Sequence, residues 1–264
     1  MNAQTFAGDP RLRTASIDGA RWLTHLQLWS PTAQDQLVTG DHETAVVLLR
    51  GTFDLHGGPT AWPARGARRS EYEGRPMVVY LPPRTTFRAE HGLGEILLVA
   101  AKQPAAAPGT TSDGRAGLGQ KALLPLAGSG KSFDPNSGEW RPAETFPSAP
   151  ESLPPRRMTR LPCGPLWVER VLAADYKAAT LCLDEVVLQP GQTLCVDDIP
   201  ERPKCDELLL FVRTEGEVRL GPTGAAPQAA RGELVFAGDA AVGTTQQITA
   251  QEGRTYVLVA YAGK

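Results

Sequence analysis

Side chains able to do acid–base or metal chemistry are few in this sequence and unevenly placed. All four histidines (His25, His42, His56 and His91) precede residue 92, and all four cysteines (Cys163, Cys182, Cys195 and Cys205) lie in the second half. Cys195, Asp197, Asp198, Cys205 and Glu207 gather in one short segment. Thiolates and carboxylates bind transition metals, so this segment offers a mixed site for zinc, manganese or iron if Cys195, Asp198, Cys205 and Glu207 assemble. The plainer reading makes Cys195 and Cys205 small buried hydrophobes and Asp197-Asp198 a turn before Pro200. On that reading no cofactor is expected.

Other signals of chemistry fail on context. Gly128-Ser129-Gly130-Lys131-Ser132 ends like a phosphate loop, but Pro125 stands where a glycine is needed, and Phe133-Asp134-Pro135-Asn136 reads as a turn rather than a helix start. A G-x-S-x-G elbow and a strand–G-x-G-x-x-G turn are both lacking, which argues against a serine hydrolase and a dinucleotide enzyme. Arg68-Arg69 and Arg156-Arg157 are isolated pairs, too short for a nucleic-acid stripe.

The elements that must position any site are short strands. The 264 residues include 27 Gly and 23 Pro, a bias toward turns. Apolar runs at 25–29, 44–53, 77–81 and 95–101 are rich in Val, Ile, Leu and aromatics and bounded by Gly, Pro or Asp. Runs at 167–173, 179–188, 206–212, 216–220, 233–237, 246–250 and 256–262 repeat that pattern. Such spacing reads as an all-β sandwich or barrel. Residues 102–157 are crowded with Pro, Gly and Ser and cannot bury enough surface to offset their ordering entropy. The expected organisation is a loosely docked arm (1–21), a first barrel (22–105), a connection (106–157) with 121–127 as a small anchor, and a second barrel (158–264).

A formal charge of −2, from 27 basic and 29 acidic residues, provides no field for nucleic acid or an anionic membrane. With no run of about 20 apolar residues, no secretory signal and no Cys-x-x-Cys pair, the expectation is a soluble cytoplasmic protein.

The two halves resemble each other. Glu43 leads VVLLRG and Glu207 leads LLLFVRTEG, MVVYLPP parallels ELVFAGD, and EILLVAA parallels TYVLVAY. Three matches in order at an offset of about 160–165 residues indicate an internal duplication.

The repeated unit, with turns at Pro190-Gly191, Gly216 and Gly238-Asp239, resembles a cupin, a small antiparallel jelly roll. A two-cupin chain carrying HETAVVLLRGTFDL, GRPMVVYLPPRTTF and EILLVAA, then ERVLAADYKAATLCLDEVVLQPG and YVLVAYAGK, resembles the 5-deoxyglucuronate isomerase family, related to the 4-deoxy-5-ketouronate isomerases. The resemblance implies two tandem cupin barrels and a sugar-acid aldose–ketose isomerase of inositol catabolism. It also implies a divalent metal held in the second barrel by three His and one Glu. Here Glu207 stands at the glutamate position, CVDDIPERPKCDE replaces the histidine pair, and Gln246 falls near the fourth ligand. The family metal site is therefore expected to be degraded and catalysis lost or altered. In the first barrel the residues two away from His42 are Gly40 and Thr44, and Phe87 takes the later ligand position, so no metal is expected there either.

If an altered, metal-free activity persists, Glu207 is the candidate acid/base, with Lys204 or Arg202 stabilising an enediolate and Gln246, Asp197 and Asp198 holding sugar hydroxyls. The alternatives are a non-catalytic bicupin that binds a sugar acid or regulates, and a structural module that pairs edge strands as a homodimer. Neither a nucleic-acid nor a membrane partner is expected.

Overall fold

The computed structural model describes residues 2–4, 6–32, 35–57, 60–62, 68–74, 76–103, 131–134, 139–142, 159–172, 180–222, 228–239 and 246–263. Among them the secondary structure is strand with one 3-10 turn, and every strand pairing is antiparallel. No helix among the described residues is long and apolar enough to cross a membrane.

In the first half, β2 (Ala7–Asp9), β3 (Leu12–Ser16), β4 (Leu23–Trp29), β9 (Thr86–Lys102), β6 (His42–Gly57) and β7 (Thr60–Trp62) follow one another across a curled sheet. Onto it β5 (Gln36–Val38) adds at β9 and β8 (Val78–Leu81) at β6. The second half repeats the plan. The order there is β17 (Gln228–Asp239), β16 (Glu207–Pro222), β19 (Thr255–Ala262), β14 (Cys182–Leu188), β13 (Leu166–Leu172) and β12 (Thr159–Cys163). In this half β18 (Gln246–Ala250) joins β16 and β15 (Thr193–Cys195). The runs at 206–212 and 216–220 are thus one strand, β16, bent by a register shift between Thr214 and Glu217. At the matching bend of the first half, Gly51 has φ +99 and a Cβ there would stand 2.0 Å from the Leu93 carbonyl oxygen, so only glycine fits.

Two expectations need correction. Within the expected arm (1–21) the described strands are paired: β2 and β3 extend the first sheet, and β1 (Asn2–Gln4) pairs with β17 of the second. Their polar composition hid them: β1 and β2 lie at sheet edges, and β3 between β2 and β4 buries only Ala15, so backbone pairing holds them without an apolar run. Within the connection, Phe133 and Asp134 belong not to a turn but to β10 (Lys131–Asp134), which pairs with β11 (Glu139–Pro142). The expected anchor at 121–127 and the start of the glycine-rich motif lie outside the described residues.

Alternation along the strands sorts side chains into three cores. Val46, Leu48, Phe53, Leu81, Phe87, Ile96 and Leu98 fill the first barrel, and Val168, Val186, Leu208, Leu210, Val212, Ile248 and Val257 fill the second. The other faces meet in a shared seam, where Leu26, Val47, Leu97 and Val99 pack with Leu183, Leu209, Phe211 and Leu258.

Charged pairs line that seam, some fully buried and some half-buried. Arg213 reaches Glu95 at 2.7 Å, Glu71 at 3.0 Å and Glu233 at 2.7 Å, and Arg13 from β3 reaches Glu233 at 2.6 Å. Arg68 forks onto Glu185 at 2.9 and 3.2 Å, both side chains 2% exposed. Burial pushes the Glu233 carboxyl up, but Arg13 and Arg213 outweigh it and hold the group below its ordinary 4.5. A depressed carboxyl stabilises the fold above its unfolded pKa, and that contribution disappears as pH falls through the folded value. Thermal midpoints should therefore drop as pH is lowered below about 4.5, and Glu233→Gln, less stable than wild type at pH 7, should show a shallower acid-side loss. Parallel midpoint–pH curves for the two proteins would refute this linkage.

Candidate functional site

The places where a bicupin could hold a ligand are the interior of each barrel and the cleft between them. In the second barrel, where the family resemblance places a metal, an ion pair stands on the interior face. Arg170 of β13 stands opposite Asp184 of β14 and binds it through two hydrogen bonds of 2.9 and 3.1 Å. The same guanidinium donates to the carbonyls of Pro200 and Glu201, each at 3.0 Å, and Cys163 Sγ donates to the Asp198 carbonyl at 3.2 Å. These bonds fasten the segment after the 3-10 turn Val196–Asp198 across the barrel. Burial pushes Asp184 above its ordinary range against the pull of Arg170, raises the Cys182 thiol to about 12, and raises the Tyr261 phenol well above its usual value.

This wall does not suit a divalent cation. It presents a permanent positive charge, a carboxylate already held on both oxygens, and a thiol resistant to ionisation. Among the described residues, no group of three His, Cys, Asp or Glu side chains is placed to hold a metal ion.

The residues singled out in the sequence do not converge. Glu207 points into the seam: its carboxylate accepts the backbone N–H groups of Arg21, Trp22 at 3.0 Å and Leu23 at 2.8 Å. The reason is parity. Glu207 shares a face of β16 with Leu209 and Phe211, which pack in the seam, whereas Leu208 and Leu210 face the barrel interior. In this structure Glu207 anchors the backbone of residues 21–23 to the second barrel. Glu43 does the reciprocal job, accepting from Thr180 N at 2.8 Å and Thr180 Oγ1 at 2.6 Å. Asp197 and Asp198 are exposed on the 3-10 turn, Arg202 pairs with Asp197, and Lys204 is exposed. Gln246 opens β18 opposite Pro222. Cys195 and Cys205 are half-buried, with burial raising both thiols.

The first barrel differs. Its mouth holds a cavity of about 290 Å³ lined by His25, Gln27, Thr39, His42 and Thr44 together with Leu37, Leu81, Phe87 and Leu98. His25 and Thr44 both pair with Ala100 of β9, one from each side, which brings together histidines 17 positions apart. Their rings meet edge to face, with centroids 5.9 Å apart. Burial, then His42, lower the His25 pKa, so this imidazole is neutral at pH 7. The sequence reading missed His25 because its partner lies across a third strand, beyond any local spacing.

The cleft between barrels measures about 870 Å³. Tyr72 and Pro76 line it from the first half, and Arg160, Trp167, Glu169 and Gln192 from the second. Trp167 is 51% exposed, with the Arg160 guanidinium 4.7 Å from its ring centroid and 3.1 Å from Glu169.

Two curled antiparallel sheets, each closed around its own apolar interior and packed through a common face, define a bicupin: two tandem cupin barrels. Residues 23–113, covering the first barrel, match the family model of the KduI/IolB family, as the sequence resemblance to the 5-deoxyglucuronate isomerase family implied. No curated protein matches the chain in sequence. Among solved structures, the chain is similar to an IolB-like protein from Salmonella typhimurium LT2 at 16% identity and a TM-score of 0.60, covering 93% of this chain and 85% of that one. GK1651 from Geobacillus kaustophilus is similar at 13% identity and a TM-score of 0.58, covering 99% and 94%. An oxalate decarboxylase from Lactobacillus farciminis, solved as a formate complex, gives 13% and 0.56, covering 98% and 85%. At these identities the likeness is one of fold.

Proposed function

We propose that this chain is a KduI/IolB-type bicupin that binds a sugar acid, in which the family's metal-dependent aldose–ketose isomerisation has been lost from the second barrel. The observation that carries this reading is the bidentate Arg170–Asp184 pair in the barrel wall, a cationic group where a metal would need donors. The cleft supplies the binding chemistry. Arg160 suits a carboxylate, the half-exposed Trp167 ring suits the C–H face of a sugar, and Glu169 and Gln192 suit hydroxyls. Gln192 Oε1 is taken by the Gln189 N–H at 2.8 Å, which leaves the amide nitrogen to donate.

The test is twofold. Purified protein incubated with 5-deoxyglucuronate should form no ketose product, whether or not Zn²⁺, Mn²⁺ or Fe²⁺ is added, and D-glucuronate should give a saturable thermal shift that Trp167→Ala weakens at least tenfold. Turnover with any of these metals would overturn the lost-catalysis reading. A flat response to uronates would instead favour a structural bicupin, a soluble cytoplasmic module acting through its edges.

A further inference from the structure

We propose that the mouth of the first barrel is a divalent transition-metal site in which His25 and His42 supply two imidazole nitrogens. The inference stands apart from the sugar-acid reading and rests on hydrogen bonding around the two rings. The Thr24 hydroxyl has a single proton, and it donates to the Ala100 carbonyl at 3.1 Å. Its 3.2 Å contact with His25 Nδ1 is therefore one in which the ring N–H donates and the hydroxyl accepts. This arrangement favours the His25 tautomer that carries its proton on Nδ1 and a lone pair on Nε2. A neutral imidazole whose other nitrogen is tied to an oxygen acceptor is the arrangement that orients a metal-binding histidine.

His42 provides the independent observation. Its Nδ1 is buried and has no hydrogen-bond partner, whereas buried ring nitrogens are ordinarily satisfied by protein, water or an ion. Two imidazoles on one ion, each about 2.0–2.1 Å from it through nitrogen, place their centroids roughly 5–6 Å apart. The observed separation is 5.9 Å. The cavity they line contains no Lys or Arg, in contrast to the second barrel, and Gln27, Thr39 and Thr44 are its other polar lining residues. Two nitrogen ligands and room for water favour Cu²⁺, Ni²⁺ or Zn²⁺ over Mg²⁺ or Mn²⁺.

The experiment uses the untagged full-length chain, stripped with chelator and titrated with Zn²⁺ and Cu²⁺. One ion should bind per chain. His42→Ala should weaken binding by about 100-fold, and Thr24→Val, which removes only the acceptor behind His25, by about tenfold. A Cys195→Ser/Cys205→Ser double variant and His56→Gln should bind as wild type does. The Cu²⁺ paramagnetic resonance spectrum of the wild-type complex should show coupling to two imidazoles, a readout independent of how any variant folds. No stoichiometric binding, coupling to fewer than two imidazoles, or binding kept by His42→Ala and lost in the cysteine variant would each overturn the proposal.

Discussion

Glu207→Ala should lower the thermal midpoint by roughly 10 °C or more, a loss of about 3–5 kcal/mol for a chain of this size. Three backbone N–H groups, from Arg21, Trp22 and Leu23, converge on this one carboxylate in the seam. An alanine leaves the Trp22 and Leu23 donors buried without acceptors, and a buried donor stripped of its partner costs its full desolvation penalty. Neighbouring Asp206 accepts the Trp22 indole N–H at 2.7 Å, so the same turn stays pinned at one point and the fold is weakened rather than abolished. A catalytic carboxylate facing a barrel interior would behave oppositely, losing activity with little loss of stability. A midpoint within about 2 °C of wild type would show that the anchor is not what Glu207 provides.

The second large effect is expected at Arg213. Its guanidinium, with the side chain 10% exposed, serves Glu71, Glu95 and Glu233 at once. Arg213→Met preserves much of the stem's packing but leaves carboxylates facing one another across a buried seam. Breaking a buried ion pair on one side costs about 3–5 kcal/mol, because the remaining charge is stranded. Arg231, whose side chain is 70% exposed and lies 3.6 Å from Glu217, is the control. Its replacement should be barely measurable, since solvent screens such pairs. Equal midpoints for the two variants in urea or heat would show that the seam network contributes nothing beyond surface pairing.

Much of this architecture is legible in the residues themselves. The apolar runs at 25–29, 77–81 and 246–250 coincide with or overlap β4, β8 and β18, and the parallel between Glu43 and Glu207 marks two residues that perform the same reciprocal task. The direction in which Glu207 points was not legible. A strand presents opposite faces at successive residues, and nothing in ELLLFV, apolar on both faces, tells which set is inside. The approach of His25 to His42 was equally hidden, since it depends on both strands flanking β9. The arm was misread for a different reason: β2 is an edge strand with every residue exposed, and β3 beside it buries only Ala15, so neither carries an apolar run.

The position of β19 has a consequence for how the molecule comes into being. It lies between β14 and β16, at the centre of the second sheet, and Leu258 and Ala260 complete the wall that faces the first barrel. Every strand it touches leaves the ribosome earlier and must wait, with backbone donors open and an apolar wall wet, until residues 255–262 emerge. A premature stop before Thr255 therefore removes the keystone rather than the fringe.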